Sequence, residues 1–209
     1  MKKIMKINKS NIKEKNTCKT VDVAIDYSAY ISNGYCYRIL SISKIESGKR
    51  NILLALPIGP QDKGTDVLSK LLRFAIKRNK INLVNADRYF FSSDALQVFQ
   101  KFHLKYLIPC QPNPKIRKIL DSMPAPFVVE DYQLKDTNCN LIILQCKGKK
   151  GNTIKRAYAT NLEIDAKDTD SIEKIFSFNS THWETNVLSE SVRTSKMTTN
   201  NLKFLHSTF

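Results

Sequence analysis

From Val21 onward the chain arranges apolar and polar positions in short runs whose period changes along its length. VDVAIDYSAY and YCYRILSISKI are rich in β-branched and aromatic residues and are separated by SNG, the pattern of two antiparallel strands. NILLALPI follows ESGKR as a third strand, which predicts a meander with Gly34 and Gly48 at or near its turns. The period then becomes helical. Val67, Leu68, Leu71, Leu72, Ala75 and Ile76 form one apolar stripe, Lys70, Arg73, Lys77 and Arg78 face away from it, and Thr65 is the expected N-cap. INLVNAD reads as a short buried strand ending in an acid. Ser92 or Ser93 caps a second helix with Ala95, Leu96, Val98, Phe99 and Phe102 inward, and KYLIPC returns as a strand. A meander followed by alternating helices and strands predicts an α/β fold in which a mixed sheet carries helices on its faces.

Five of the seven prolines, Pro109, Pro112, Pro114, Pro124 and Pro126, crowd around the short KIRKIL segment, which predicts a change of module there. Beyond them PFVVEDYQL, NLIILQCKG and IKRAYATN read as three strands joined by DTNCN and KKGN, a small antiparallel insertion. SIEKIF opens an expected helix running through the Trp183 region, TTNN interrupts it, and LKFLHSTF ends the chain on an apolar run, as though cut short. The resulting division is a basic tail at 1–20, a first part of the core at 21–121, a β-rich insertion at 122–161, and a C-terminal helical part at 162–209.

Charge narrows the partners. The 209 residues hold 34 Lys and Arg against 19 Asp and Glu, a formal net charge of +15, and the cations recur in every segment. Such a surface suits a polyanion, and nucleic acid fits better than anionic lipid because no amphipathic membrane-surface helix is visible. No run approaches the roughly 18 apolar residues of a membrane span. Residues 1–20, with seven Lys and one Glu, have no apolar core of the kind a secretory signal needs, so a cytoplasmic protein is expected. Cys18, Cys36, Cys110, Cys139 and Cys146 are odd in number and widely spread, without a C-x-x-C pair or a neighbouring His. They read as reduced thiols.

The feature with most chemical content is a pair of acids. Asp26 ends VAID on the first strand and Asp87 ends LVNAD on the strand after the first helix, each behind an apolar run that would fix its position. An arbitrary Asp in such a place is a solvated strand end or a helix cap. Two on paired strands are different. Carboxylates a few ångströms apart repel unless a cation sits between them, which suits Mg²⁺ or Mn²⁺, and a basic surface would bring phosphates to that ion.

The segment INLVNADRYFFSSDALQVFQKFHLKYLIPCQPNPKIRKIL resembles the strand, Asp-Arg-x-Phe-aromatic, helix, strand and Pro-Lys block of the DDE transposases of bacterial and archaeal insertion sequences, particularly the archaeal ones with a β-rich insertion before the catalytic glutamate. The resemblance covers roughly Val21 to Phe209. It implies an RNase H-like fold, with Asp87 as the second catalytic Asp, Asp26 as the first, and AYATN, ending at Asn161, as the strand that closes the insertion. HWET resembles the family's Arg-Trp-x-Ile-Glu-Thr with two residues lost, which makes Glu184 the third carboxylate; a strict count from Trp183 reaches Asn186, and Glu190 is the second choice. The family's Tyr and Arg positions find only Phe176 and Asn179 here, and its Lys only Arg193.

The activity so implied is cleavage and joining of DNA strands in transposition, a phosphoryl transfer in which Asp26, Asp87 and Glu184 hold two Mg²⁺ or Mn²⁺ ions. The partners would be transposon ends and target DNA, with a homodimer on paired ends. Arg88, Lys115, Arg117 and Lys118 are the first candidates for phosphate contacts, Lys147, Lys149 and Lys150 in the insertion hairpin the next, followed by His182, Arg193 and Lys196. His103, after an apolar helix end, reads as a cap or surface residue. The altered positions and the missing N-terminal DNA-binding region leave two alternatives open: an inactive, truncated DNA-binding remnant, or an RNase H-like nuclease.

Overall fold

The computed structural model describes residues 20–32, 35–46, 49–147 and 152–163. The first three strands, β1 (Thr20–Ser32), β2 (Tyr35–Glu46) and β3 (Lys49–Pro57), form the expected antiparallel meander. Helix α1 (Gly64–Ile76), strand β4 (Lys80–Ala86), a 3₁₀ turn (Arg88–Phe90), helix α2 (Ser93–Lys101) and strand β5 (Tyr106–Pro109) follow. Helix α3 (Pro114–Ser122) then leads to β6 (Phe127–Leu134), β7 (Thr137–Lys147) and β8 (Thr153–Thr160).

Among the described residues, eight strands form one mixed sheet in the order β3-β2-β1-β4-β5-β8-β7-β6. β4 and β5 run parallel to β1, and within the first five strands β2 alone points the other way. That order and direction make the expected α/β architecture, a mixed sheet flanked by helices. The proline-rich segment does not end the sheet as its composition predicts. β8 pairs antiparallel with β5, so the last three strands extend the same sheet past α3.

Alternation decides which face each strand residue takes. Val21, Val23 and Ile25 of β1, Val84 and Ala86 of β4, and Tyr106 and Ile108 of β5 enter one core with Leu68, Leu71 and Leu72 of α1, Leu96 and Phe99 of α2 and Ile116 of α3. Leu107, Ile142, Leu144, Cys146 and Tyr158 form a smaller cluster on the other face. Each fully buried leucine contributes roughly 1.5–3 kcal/mol relative to an exposed one.

Three local expectations are corrected. The N-cap of α1 is Lys63, not Thr65: the extended Lys63 backbone lets its carbonyl accept from the N–H groups of Asp66 and Val67, so the helix starts one residue before Thr65. Ile76 is 38% exposed, because the helix ends there and its position has turned away from the sheet. The β6–β7 turn is shorter than DTNCN. Lys135, at φ 53°, takes a left-handed conformation that lets Lys135 and Asp136 alone reverse the chain, and Thr137 already pairs with Leu134.

Ser92 is the cap of α2, its Oγ accepting from the Ala95 N–H at 3.3 Å, and His103 lies exposed just beyond that helix at φ 53°. The thiols of Cys36, Cys110, Cys139 and Cys146 are unbridged. Among the described residues no helix is long and apolar enough to cross a membrane. The expected C-terminal helix and Cys18 lie outside the described residues.

Candidate active site

Asp26 owes its place to the alternation of β1. Val23 and Ile25 are pinned in the core, so the side chain of Asp26 must take the opposite face, where it is half-buried. Ser28, two residues on and on that same face, donates its hydroxyl to Asp26 Oδ2 at 3.2 Å. Asp87 is set by β4 in the same way, directly behind the buried Val84, Asn85 and Ala86.

The register brings the two acids together. β1 and β4 pair in parallel with Ala24 opposite Asn85 and Ile25 opposite Ala86. The Asp87 N–H continues the ladder by donating to the Ile25 carbonyl at 3.1 Å. Asp26 and Asp87 are therefore the next opposed positions on the same sheet face, on strands about 4.8 Å apart. Ser41 of β2, opposite Asp26 on its other side, is buried.

A residue that the sequence reading missed lies beside them. Asn85 shares the face of Asp87 on β4, between Ala24 of β1 and Leu107 of β5, and is only 2% exposed. Neither its amide nitrogen nor its amide oxygen has a partner among the described residues. Leaving such a group unserved costs about 1–3 kcal/mol, so a strand would gain by carrying an apolar residue instead. The only signal in the sequence was an Asn inside an otherwise apolar run.

Beyond Asp87 the chain turns sharply, the Phe90 N–H donating to the Asp87 carbonyl at 2.9 Å. Phe90 anchors this turn in the core, leaving Arg88 exposed and placing Tyr89 flat against Tyr27 with ring centroids 3.9 Å apart. Burial, then the neighbouring Tyr89 phenol, pushes the Tyr27 phenol upward. Tyr89 also walls a cleft of about 480 Å³ between the N-terminal ends of α1 and α2, which Lys63, Ser92 and Asp94 line as well.

Helix α3 follows the carboxyl end of β5, the same end of the parallel strands as Asp87, where open α/β sheets usually hold their ligands. Asn113 caps it, its Oδ1 accepting from the Ile116 N–H at 2.8 Å, and Pro114 occupies the first turn. Ile116 is buried, which turns Lys115, Arg117 and Lys118 outward to solvent. Lys155 of β8 closes the other end by donating Nζ hydrogens to the Leu120 and Met123 carbonyls, at 2.7 and 2.8 Å.

The register thus sets Asp26 and Asp87 at adjacent positions, and Arg88, Lys115, Arg117 and Lys118 are exposed. Among the described residues no group of three or more His, Cys, Asp or Glu side chains could hold a metal ion. Glu184, Glu190, Lys149, Lys150, His182, Arg193 and Lys196 lie outside the described residues, as does the side chain of Lys147.

No family model and no curated protein sequence matches the chain. Among solved structures it is similar to endonuclease V from Bacillus subtilis, at 12% identity and a TM-score of 0.38, over 70% of this chain and 66% of that one. It is also similar to Argonaute from Marinitoga piezophila, solved with a guide RNA bearing a 5′ hydroxyl, at 13% identity and a TM-score of 0.36, over 80% of this chain and 26% of that one. The chain spans just under two thirds of the first of these proteins and about a quarter of the second.

Proposed function

We propose that this chain is an RNase H-like, metal-dependent phosphoryl transferase acting on DNA, and within that class the catalytic domain of an insertion-sequence transposase. The observation that carries the proposal is the register of β1 against β4, which sets Asp26 and Asp87 as neighbours on one face where the pairing of these two central strands ends. Two like charges at strand spacing repel, and a hard divalent cation accepts carboxylate oxygens from both. The donor set therefore fits Mg²⁺ or Mn²⁺, and the unserved amide of Asn85 on the same face supplies a further polar group beside it.

Asp26, Asp87 and, as the third carboxylate, Glu184 would hold the metal. The chemistry supplied by such ions when bound is Lewis-acid activation of the attacking oxygen and stabilisation of the leaving one. The remaining roles belong to the chain. Ser28 orients Asp26 through its hydroxyl, the buried Phe90 fixes the backbone that carries Asp87 and Arg88, and the cations of α3 draw in the phosphate backbone without reading bases.

The test is Mn²⁺-dependent nicking of supercoiled plasmid by the purified chain, beside Asp87→Ala and Glu184→Gln, with DNA binding measured on the same samples. Nicking abolished by both substitutions with binding intact is the expected result. Nicking lost only with Asp87→Ala moves the third ligand to Glu190, and wild-type binding without nicking, in folded protein, overturns the catalytic reading. Joined products on a target plasmid separate a transposase from a nuclease.

A further inference from the structure

Past the body of the sheet, β1 and β2 run on as a two-stranded ribbon. β4 pairs with β1 only as far as Ile25, and β3 pairs with β2 only from Ile39 inward, whereas β1 and β2 stay paired out to Ser32 opposite Tyr35. No irregularity interrupts this register. The face that carries Asp26 is therefore continued by Ser28 and Tyr30 along β1 and by Ile39, Tyr37 and Tyr35 along β2. Tyr30 and Tyr37 stack with ring centroids 5.0 Å apart at 13°, and Tyr35 beyond them is 69% exposed.

A cross-strand aromatic pair steadies a hairpin by roughly 0.2–1 kcal/mol, which accounts for Tyr30 meeting Tyr37. It does not account for Tyr35, whose ring stands in solvent, nor for the concentration of tyrosines on the carboxylate face. Tyr30 lies four positions beyond Asp26, about 13 Å along the strand. Flat rings that follow directly from a phosphate-handling site, on a chain of formal charge +15, are suited to the faces of unpaired bases, which stack without regard to sequence.

We propose that Tyr30, Tyr37 and Tyr35 form a stacking platform for an unpaired base of the DNA strand whose phosphate lies at Asp26 and Asp87, so that the site favours DNA that is single-stranded or melted next to the cut. This rests on the function proposed above for the two carboxylates. A duplex presents no free base faces to the ribbon and would gain only the phosphate contacts.

The test compares binding of the full chain to fluorescent oligothymidylate and to a duplex of equal length at one ionic strength, for wild type, Tyr35→Ala, Tyr35→Phe and Tyr37→Ala. Thermal melts confirm that each variant folds. The alanine variants are expected to weaken oligothymidylate binding by about 5- to 150-fold each while leaving duplex binding nearly unchanged, and Tyr35→Phe to restore it, because stacking needs the ring and not the hydroxyl. Equal loss on both probes, or no loss on either, overturns the platform. Loss of a sedimentation dimer without change in DNA binding makes the ribbon an interface between copies and overturns it too. Plasmid nicking by Asp87→Asn, run alongside, keeps the two readings apart. A failed platform with carboxylate-dependent nicking leaves the active site standing; an intact platform with nicking indifferent to Asp87 removes the active site and leaves a single-strand binding surface.

Discussion

Replacing Asn85 with valine should raise the stability of the protein. The amide is 2% exposed, flanked by Ala24 and Leu107 on the neighbouring strands, and both its polar atoms lack partners among the described residues. Removing an unserved buried amide recovers about 1–3 kcal/mol of desolvation, and a β-branched residue in a central strand adds up to about 1 kcal/mol. For a chain of this size each kcal/mol moves the midpoint by roughly 2–4 °C, so Asn85→Val should melt about 2–16 °C above wild type by calorimetry. Unchanged or lower Tm would refute the reasoning, since it would mean that the folded protein satisfies the amide. Plasmid nicking on the same variant completes the argument. A polar group retained at a cost in stability beside two carboxylates is expected to serve them, so nicking should fall while Tm rises, the signature of a functional residue.

Two further outcomes follow from other parts of the molecule. Replacing Lys115, Arg117 and Lys118 together with alanine should lower the slope of log affinity against log salt for duplex DNA by about 0.9 for each phosphate no longer neutralised, with sequence preference unaltered; an unchanged slope would detach α3 from the DNA surface. Stability should also fall at alkaline pH. Burial raises the Cys139 thiol from 9.0 to about 11, and burial, then the adjacent Cys146, raises the Tyr158 phenol from 10.0 to about 12. Burial likewise holds Cys110 and Tyr106 above their ordinary values. The unfolded chain then loses these protons first and binds fewer of them, so their contribution is intact below about pH 9 and is lost between about pH 9 and 12, on the order of 1–3 kcal/mol per group. A Tm that stays level from pH 8 to 11 would contradict this.

What could be read directly from the residues was set by period and burial. Val21, Val23 and Ile25 alternate with polar or small residues, so β1 and the orientation of Asp26 were legible, and the apolar run before Asp87 made its place rigid in the same way. Their adjacency was not legible, because it depends on the pairing of strands far apart in sequence, and only the register of Ile25 against Ala86 supplies it. Helix α3 was hidden for a different reason. It is nine residues long, buries Ile116 fully and packs Ile119 and Leu120 only partly against the core, and is held at its ends by Asn113 and Lys155. Its apolar stripe therefore spans barely more than one turn and is too short to stand out as a period among the surrounding prolines.

The aromatic ribbon illustrates the same limit at the opposite end of the strand. Tyr30 and Tyr37 look like ordinary strand formers when read in sequence, and the register alone puts them opposite each other and on the face of Asp26. The proposed site thus depends on three cross-strand pairings that the order of residues does not display: Asp26 with Asp87, Tyr30 with Tyr37, and Asn85 with its apolar neighbours Ala24 and Leu107. A one-residue slip of β1 against both β2 and β4 would move Asp26 and Tyr30 to the helix-covered face and bring the core residues Val23 and Ile25 out. The apolar alternation that builds the core therefore also fixes where the acids and tyrosines stand, and variants that loosen β1 in the core are expected to impair the site without touching it.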